Sequence, residues 1–248
     1  MTRKKIVFVI VEGPSDDDAL GVVFSKFYNK DEVHVEVMHC DITTDFGRTP
    51  IVSKIGNVIK SYAGHTFKQS DFRQIIHIVD MDGAYIPDEN IVKDPDATKP
   101  YYSTTDIRTC NKVGIENRNR QKRDNLNRLT SISQVWKIPY SVFYMSSNLD
   151  HALYGKLNST DDEKEHDAFY FSMKYKNNLP LFIQFISESE FSVCNDYNES
   201  WRFIKGALVH SISEPQLHLQ QSHTQPHTFF QADIVRKHSA FFHPQPLW

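Results

Sequence analysis

Short apolar runs that end abruptly in acid dominate the first third of the chain. Residues 5–11 (KIVFVIV) are almost wholly β-branched or aromatic and stop at Glu12, and residues 74–79 (QIIHIV) stop at Asp80 and Asp82. A continuous apolar run of this length reads as a strand buried on both faces, and its carboxylates then fall at the carboxyl edge of a sheet, where open α/β sheets bind ligands. Asp80 and Asp82 are two apart, so a strand continuing through them points both to one side.

The polarity pattern between these runs changes to helical spacing. Residues 15–28 place Leu20, Val23, Phe24 and Phe27 on one face, with Ser15 as the expected N-cap and Asp16, Asp17 and Asp18 in a first turn that suits the positive end of the helix dipole. Residues 33–38 alternate as a second strand, 41–48 are polar and predict a loop, and Pro50 opens a helix to residue 62 whose buried stripe is Ile51, Ile55, Val58 and Ile59. This β-α-β-α-β order argues a parallel sheet with right-handed crossovers.

Beyond Asp82 the periodicity fails. Residues 84–105 carry Pro87, Pro95 and Pro100 and predict an irregular connection. Residues 116–133 form the most basic stretch, holding Arg118, Arg120, Lys122, Arg123 and Arg128, and predict a helix with two open readings: a solvated face, or a surface that meets phosphate. Residues 140–145 (YSVFYM) predict a fourth strand, followed by a helix capped by Ser147 or Asn148 and holding Asp150, His151 and Lys156. Helical patterns then run to about residue 208, and residues 211–248 are a glycine-free, histidine-bearing tail of low complexity. The expected division is 1–156 for the α/β domain, 157–210 for a helical C-terminal extension and 211–248 for the tail.

Composition narrows the function without deciding it. A hydrophobic content of 40% over 248 residues supports a substantial core, and a net charge of −3 gives no global signal for a polyanionic partner, so any such contact must rest on local basic groups and bound metal. Cys40, Cys110 and Cys194 show no zinc spacing and read as reduced thiols. The apolar run after the basic N-terminus is too short for a signal peptide or a membrane span, so a cytoplasmic protein with no membrane association is expected. The sequence has no GxxxxGK[ST] phosphate loop, no GxSxG elbow and no supported Cys/His dyad.

Glu12, Asp80 and Asp82 brought together would repel one another unless a divalent cation neutralised them, and hard oxygen donors suit Mg²⁺ or Mn²⁺. Asp80 and Asp82 are the expected metal ligands, while Glu12 fits either a ligand or a general acid/base. Asp150 and His151 follow the fourth strand and could reach the same edge as a further ligand and a proton carrier or phosphate contact. Lys156 reads as a surface lysine or a phosphate contact.

An apolar strand ending in Glu-Gly, followed by an apolar strand ending in Asp-x-Asp, resembles the signature of the Toprim domain. The variant VEGPSD at residues 11–16 is most similar to the overcoming-lysogenization-defect nucleases and related bacterial defence nucleases. The resemblance covers residues 5–153. It implies a Toprim-like parallel sheet flanked by helices and Asp16 as a third metal ligand. It also implies a Mg²⁺- or Mn²⁺-dependent nuclease acting on DNA or RNA as an anti-phage effector, and an Asn-x-acidic-His segment at Asp150 and His151 is similar to one in some of these nucleases. A partner ATPase or a homo-oligomer fits that setting. The rival expectation is a non-catalytic, metal-bound module that docks a partner protein.

Overall fold

A computed structural model describes residues 4–28, 30–45, 47–103, 105–145, 154–188 and 197–210. Its centre is β1 (Lys5–Val11), hydrogen-bonded in parallel to β2 (Val33–His39) on one side and to β3 (Phe72–Asp80) on the other. Strand alternation sends Ile6, Phe8 and Ile10 to one face and Val7, Val9 and Val11 to the opposite face, and all six are buried. Burying each such side chain contributes about 1.5–3 kcal/mol of transfer free energy, which is why the most apolar run takes the central position.

β8 (Ile138–Met145) extends the sheet in parallel beyond β3, and the short β7 (Gln134–Val135) closes the edge antiparallel to it, giving the order β2-β1-β3-β8-β7. The sheet is thus mixed and mostly parallel, not purely parallel as expected. The departure arises from a two-residue hairpin at Trp136 and Lys137, both at positive φ (49° and 60°), where the Trp136 ring packs against Phe72. No Asn-Gly or Asp-Gly pair announces this turn.

Helices cover both faces. α1 (Pro14–Phe27) supplies Ala19, Leu20, Val23, Phe24 and Phe27 to the core on the Val7/Val9/Val11 face. α2 (Ile51–Ala63) and α3 (Lys112–Leu129) cover the Ile6/Phe8/Ile10 face. The C-terminal helices complete the same two cores: α4 (Asp161–Tyr175) and α5 (Leu179–Glu188) bring Phe171, Tyr175 and Phe182 against α1. From α6 (Tyr197–His210), Trp201 stacks edge-on against Tyr144 and donates its indole N–H to the Val142 carbonyl at 3.3 Å. None of the helices among the described residues is long and apolar enough to cross a membrane.

Two local expectations change. α1 is capped by Gly13 rather than Ser15: Pro14 takes the first helical position and Asp16, three residues after the cap, accepts from the Gly13 amide at 3.0 Å. The connection at 84–105 is not irregular throughout. It contributes to a second sheet, β4 (Ile91–Lys93), β5 (Tyr101–Tyr102) and β6 (Ile107–Thr109) in the order β4-β6-β5, packed on α3 through Ile91, Ile107 and Ile115.

A candidate carboxylate centre at the sheet edge

Parallel pairing brings the acidic residues together. Ile10 is in register with His77, so Glu12, just past β1, stands level with the end of β3 where Asp80 lies. Asp82 arrives by a different route from the one its spacing suggested. β3 stops at Asp80, and Met81 to Ala84 form a tight turn closed by the Ala84 amide on the Met81 carbonyl at 2.7 Å, with Asp82 and Gly83 both at positive φ (45° and 77°). Positive φ at both central positions is the type I′ arrangement that Asp-Gly favours, so a turn, not strand alternation, folds the Asp82 carboxylate back beside Asp80. One carboxylate oxygen each from Glu12, Asp80 and Asp82 lies within 4.8 Å of the others. Asp16, on the first turn of α1, is buried, and its negative charge joins burial in raising the pKa of Asp80.

A cation from α3 sits inside this group. Ile115, Asn119, Lys122, Leu126 and Leu129 are the buried positions of that helix, spaced four, three, four and three, so Lys122 falls on the core-facing stripe and is fully buried. Its Nζ donates to Glu12 Oε2 at 2.8 Å and to Asp82 Oδ2 at 2.6 Å. The other Glu12 oxygen, Oε1, accepts from the Thr43 hydroxyl. Thr43 is itself wholly buried in the segment after β2, and its carbonyl is anchored by Asn125 Nδ2 of α3 at 2.9 Å. Arg118, one turn before Lys122, donates through Nη2 to the Asp82 carbonyl at 2.7 Å and to the Tyr102 hydroxyl at 2.8 Å, tying the turn to the small sheet.

Electrostatics follow from four carboxylates meeting one ammonium. Burial pushes the Glu12 carboxyl up to about 7, with Lys122 opposing and Asp82 adding to the shift. Asp80 is raised well above the usual carboxylate range by burial and then by Asp16, Asp82 and Glu12. Burial works against the Lys122 ammonium, but Glu12, Asp82 and Asp80 outweigh it and hold its pKa above that of an ordinary lysine. Beneath the site, on the same sheet face as α3, His77 is wholly buried, its Nδ1 within 2.8 Å of the Tyr140 hydroxyl; burial, then Lys122, pushes its pKa down to about 3.

The donor chemistry fits a small divalent ion. The candidate ligand atoms of Glu12, Asp80 and Asp82 are all carboxylate oxygens, they lie close enough for one ion, and the raised pKa values of Glu12 and Asp80 show that a single lysine does not satisfy the cluster. Glu12, Asp80 and Asp82 therefore lie together, Asp16 is buried on the first turn of α1 outside that group, and Lys122 must be reassigned: it is a buried partner of the carboxylates, not part of a basic surface. Of the other basic residues, Arg118 serves the Asp82 turn, Arg123 is half-buried, Arg120 is exposed and pairs with Asp88 at 3.5 Å, and Lys156 pairs with Asp167 of α4. Asp150 and His151 lie outside the described residues. Sequence reasoning missed Thr43, for which no signal exists in a polar loop, and the role of Lys122, for which the stripe set by Ile115, Leu126 and Leu129 was the available signal.

Fold and site together define an α/β protein with a carboxylate cluster at the carboxyl edge of a mostly parallel sheet. No family model, no curated protein and no solved structure matches the chain.

Proposed function

We propose that the protein is a Mg²⁺- or Mn²⁺-dependent nuclease with a Toprim-like fold, hydrolysing phosphodiester bonds in DNA or RNA. The observation that carries this reading is the convergence of Glu12, Asp80 and Asp82 within 4.8 Å at the edge of the sheet. Asp80, Asp82 and Asp16 would hold the ion, with Glu12 as a further ligand or as the group that moves a proton. When bound, a divalent ion lowers the pKa of water and stabilises charge on phosphate oxygens. Glu12 has the setting of an acid/base group, because a carboxyl pushed to about 7 exchanges its proton near neutral pH. Glu12, Asp82 and Asp80 favour the charged form of Lys122, which would keep a positive charge beside the carboxylates, and the exposed Arg120 on the same helix is the candidate contact for a polyanion. The resemblance of the acidic motifs to those of bacterial defence nucleases further suggests an anti-phage effector, for which a partner ATPase would fit.

A second reading is favoured by one observation. Lys122 already bridges Glu12 and Asp82, as the ion pair of a non-catalytic module would. Purified protein incubated with Mn²⁺ and a panel of DNA and RNA separates the two. Cleavage that chelator stops and that Glu12→Ala or the Asp80→Ala/Asp82→Ala pair abolishes supports the nuclease, and binding without cleavage supports the module. Full activity in either variant refutes the assignment of the centre.

A further inference from the structure

The two edges of the main sheet are unlike. β7, at one edge, is two residues long and offers little for another strand to pair with. β2, at the other, runs for seven residues (VHVEVMH) in unbroken register with β1, with none of the lysines, prolines or bulges that ordinarily blunt an edge. Its main-chain groups divide by position. The Lys5 amide donates to the Glu32 carbonyl at 2.9 Å and the Cys40 amide to the Val11 carbonyl at 2.7 Å, so the even-numbered residues from 32 to 40 turn their main-chain groups toward β1. Alternation turns those of Val33, Val35 and Val37 outward, and among the described residues no strand pairs with them.

We propose that this edge pairs with the same edge of a second copy of the chain, antiparallel about a two-fold axis at Val35, joining two five-stranded sheets into one. Only residues whose main-chain groups face outward can exchange hydrogen bonds across the new pair, so Val33, Val35 and Val37 must stand opposite odd-numbered residues of the second copy. Side chains then choose among the registers that remain. With the axis at Val35, Val35 meets its own counterpart, Val33 meets Val37, and His34 faces Glu36 on both sides of the axis, at the closely spaced positions of the ladder where cross-strand pairs interact most. The two groups are suited to each other, since within one strand His34 Nε2 already lies 3.2 Å from Glu36 Oε2. Moving the axis by one residue sets Glu36 against Glu36 or His34 against His34, like against like. Moving it to Val37 sets Glu36 against Met38 and carries Val33 beyond the end of the partner strand.

Sedimentation velocity of the full chain, over a concentration series reaching about 0.1 mM, tests the assignment. Wild type should be a reversible dimer. Val35→Pro removes an outward amide that the single chain does not use, at an edge position where proline is tolerated, so the variant should stay folded and dimerise about tenfold more weakly or worse. The register is tested by exchange of charge. His34→Glu sets acid against Glu36, and Glu36→Lys takes the carboxylate away from His34, so each variant alone should dimerise more weakly than wild type. An equimolar mixture of the two should form a heterodimer tighter than either, because the new acid of one chain then faces the new lysine of the other. Wild type that stays monomeric throughout leaves the edge to a different occupant and overturns the proposal, as does Val35→Pro dimerising like wild type or a mixture no tighter than its components. If Val35→Pro does not fold, the mixture decides.

Discussion

The Lys122 ammonium and the Glu12 carboxylate, 110 positions apart in the chain, form a 2.8 Å ion pair with side chains only 0% and 6% exposed. An ion pair at this depth is a weak source of net stability but is costly to break, because the surviving partner keeps its desolvation penalty without its counter-charge. Lys122→Met is therefore expected to cost roughly 3–5 kcal/mol in urea unfolding of the metal-free protein. Adding Glu12→Gln should return part of that loss, and non-additivity in the double-mutant cycle is the sign that the two act as one unit. Strict additivity would sink the claim.

Asp80 illustrates the cost of the centre to the fold. Its pKa is raised above the ordinary 3.8 by burial and by the Asp16, Asp82 and Glu12 carboxylates, so at this residue the folded chain holds a proton that the unfolded one releases, and the Asp80 contribution to stability falls as pH rises above 3.8. Asp80→Asn removes that repulsion. Without metal the variant should be the more stable protein at pH 7, because the buried like charges that raise the Asp80 pKa are no longer opposed by a fourth carboxylate. It should also lose Mn²⁺-dependent cleavage and any rise of melting temperature with added Mn²⁺. A variant less stable than wild type would show that Asp80 is held by something other than like charges.

Glu12 and Asp80 were legible because each follows a short run dominated by β-branched residues, and burial of such runs puts whatever comes next at the edge of the sheet. Asp82 was legible as a neighbour but not in its geometry: its spacing implied strand alternation, whereas the following Gly83 lets the chain turn. Lys122 was hidden by its company. Four arginines in the same stretch suggest a solvated or phosphate-facing surface, and only the positions of Ile115, Leu126 and Leu129 separate the buried lysine from its neighbours. The strands at 91–93, 101–102 and 107–109 are too short for a period of two to register, and the Trp136–Lys137 hairpin rests on tertiary packing against Phe72 that no local pattern encodes.

Gly83 and Gly56 should respond to alanine in opposite directions. Gly83 sits at φ 77°, and an added Cβ would come within 2.7 Å of Ile107 Cδ1. Strain of this kind costs about 1–3 kcal/mol, and because the turn aims Asp82, Gly83→Ala should weaken Mn²⁺ retention along with stability. Gly56 lies inside α2, where the nearest neighbour to a new Cβ is Val135 Cγ1 at an ordinary 3.8 Å. Gly56→Ala should raise stability by about 0.5–1 kcal/mol without touching the centre. Thermal melts of both variants with and without Mn²⁺ check the pair, and equal effects would remove the special role assigned to the turn.

His77 gives the fold its own acid sensitivity, separate from that of the carboxylates. Burial, assisted by Lys122, lowers its pKa from 6.5 to about 3, so below pH 6.5 the unfolded chain binds a proton that the folded chain refuses. With more protons bound when unfolded, the His77 contribution to stability rises with pH across the window from about 3 to 6.5 and levels off above it, at a limiting slope of about 1.4 kcal/mol per pH unit. The Tyr140 hydroxyl is its hydrogen-bond partner, so the double variant His77→Phe/Tyr140→Phe removes the titrating ring without leaving a buried hydroxyl alone. The stability of the double variant relative to wild type should improve steadily as pH falls from 6.5 to 4.5 and stay constant between pH 7 and 8. A difference that does not change with pH would mean that the ring takes up its proton as readily in the folded protein as in the unfolded chain, against the effect of burial.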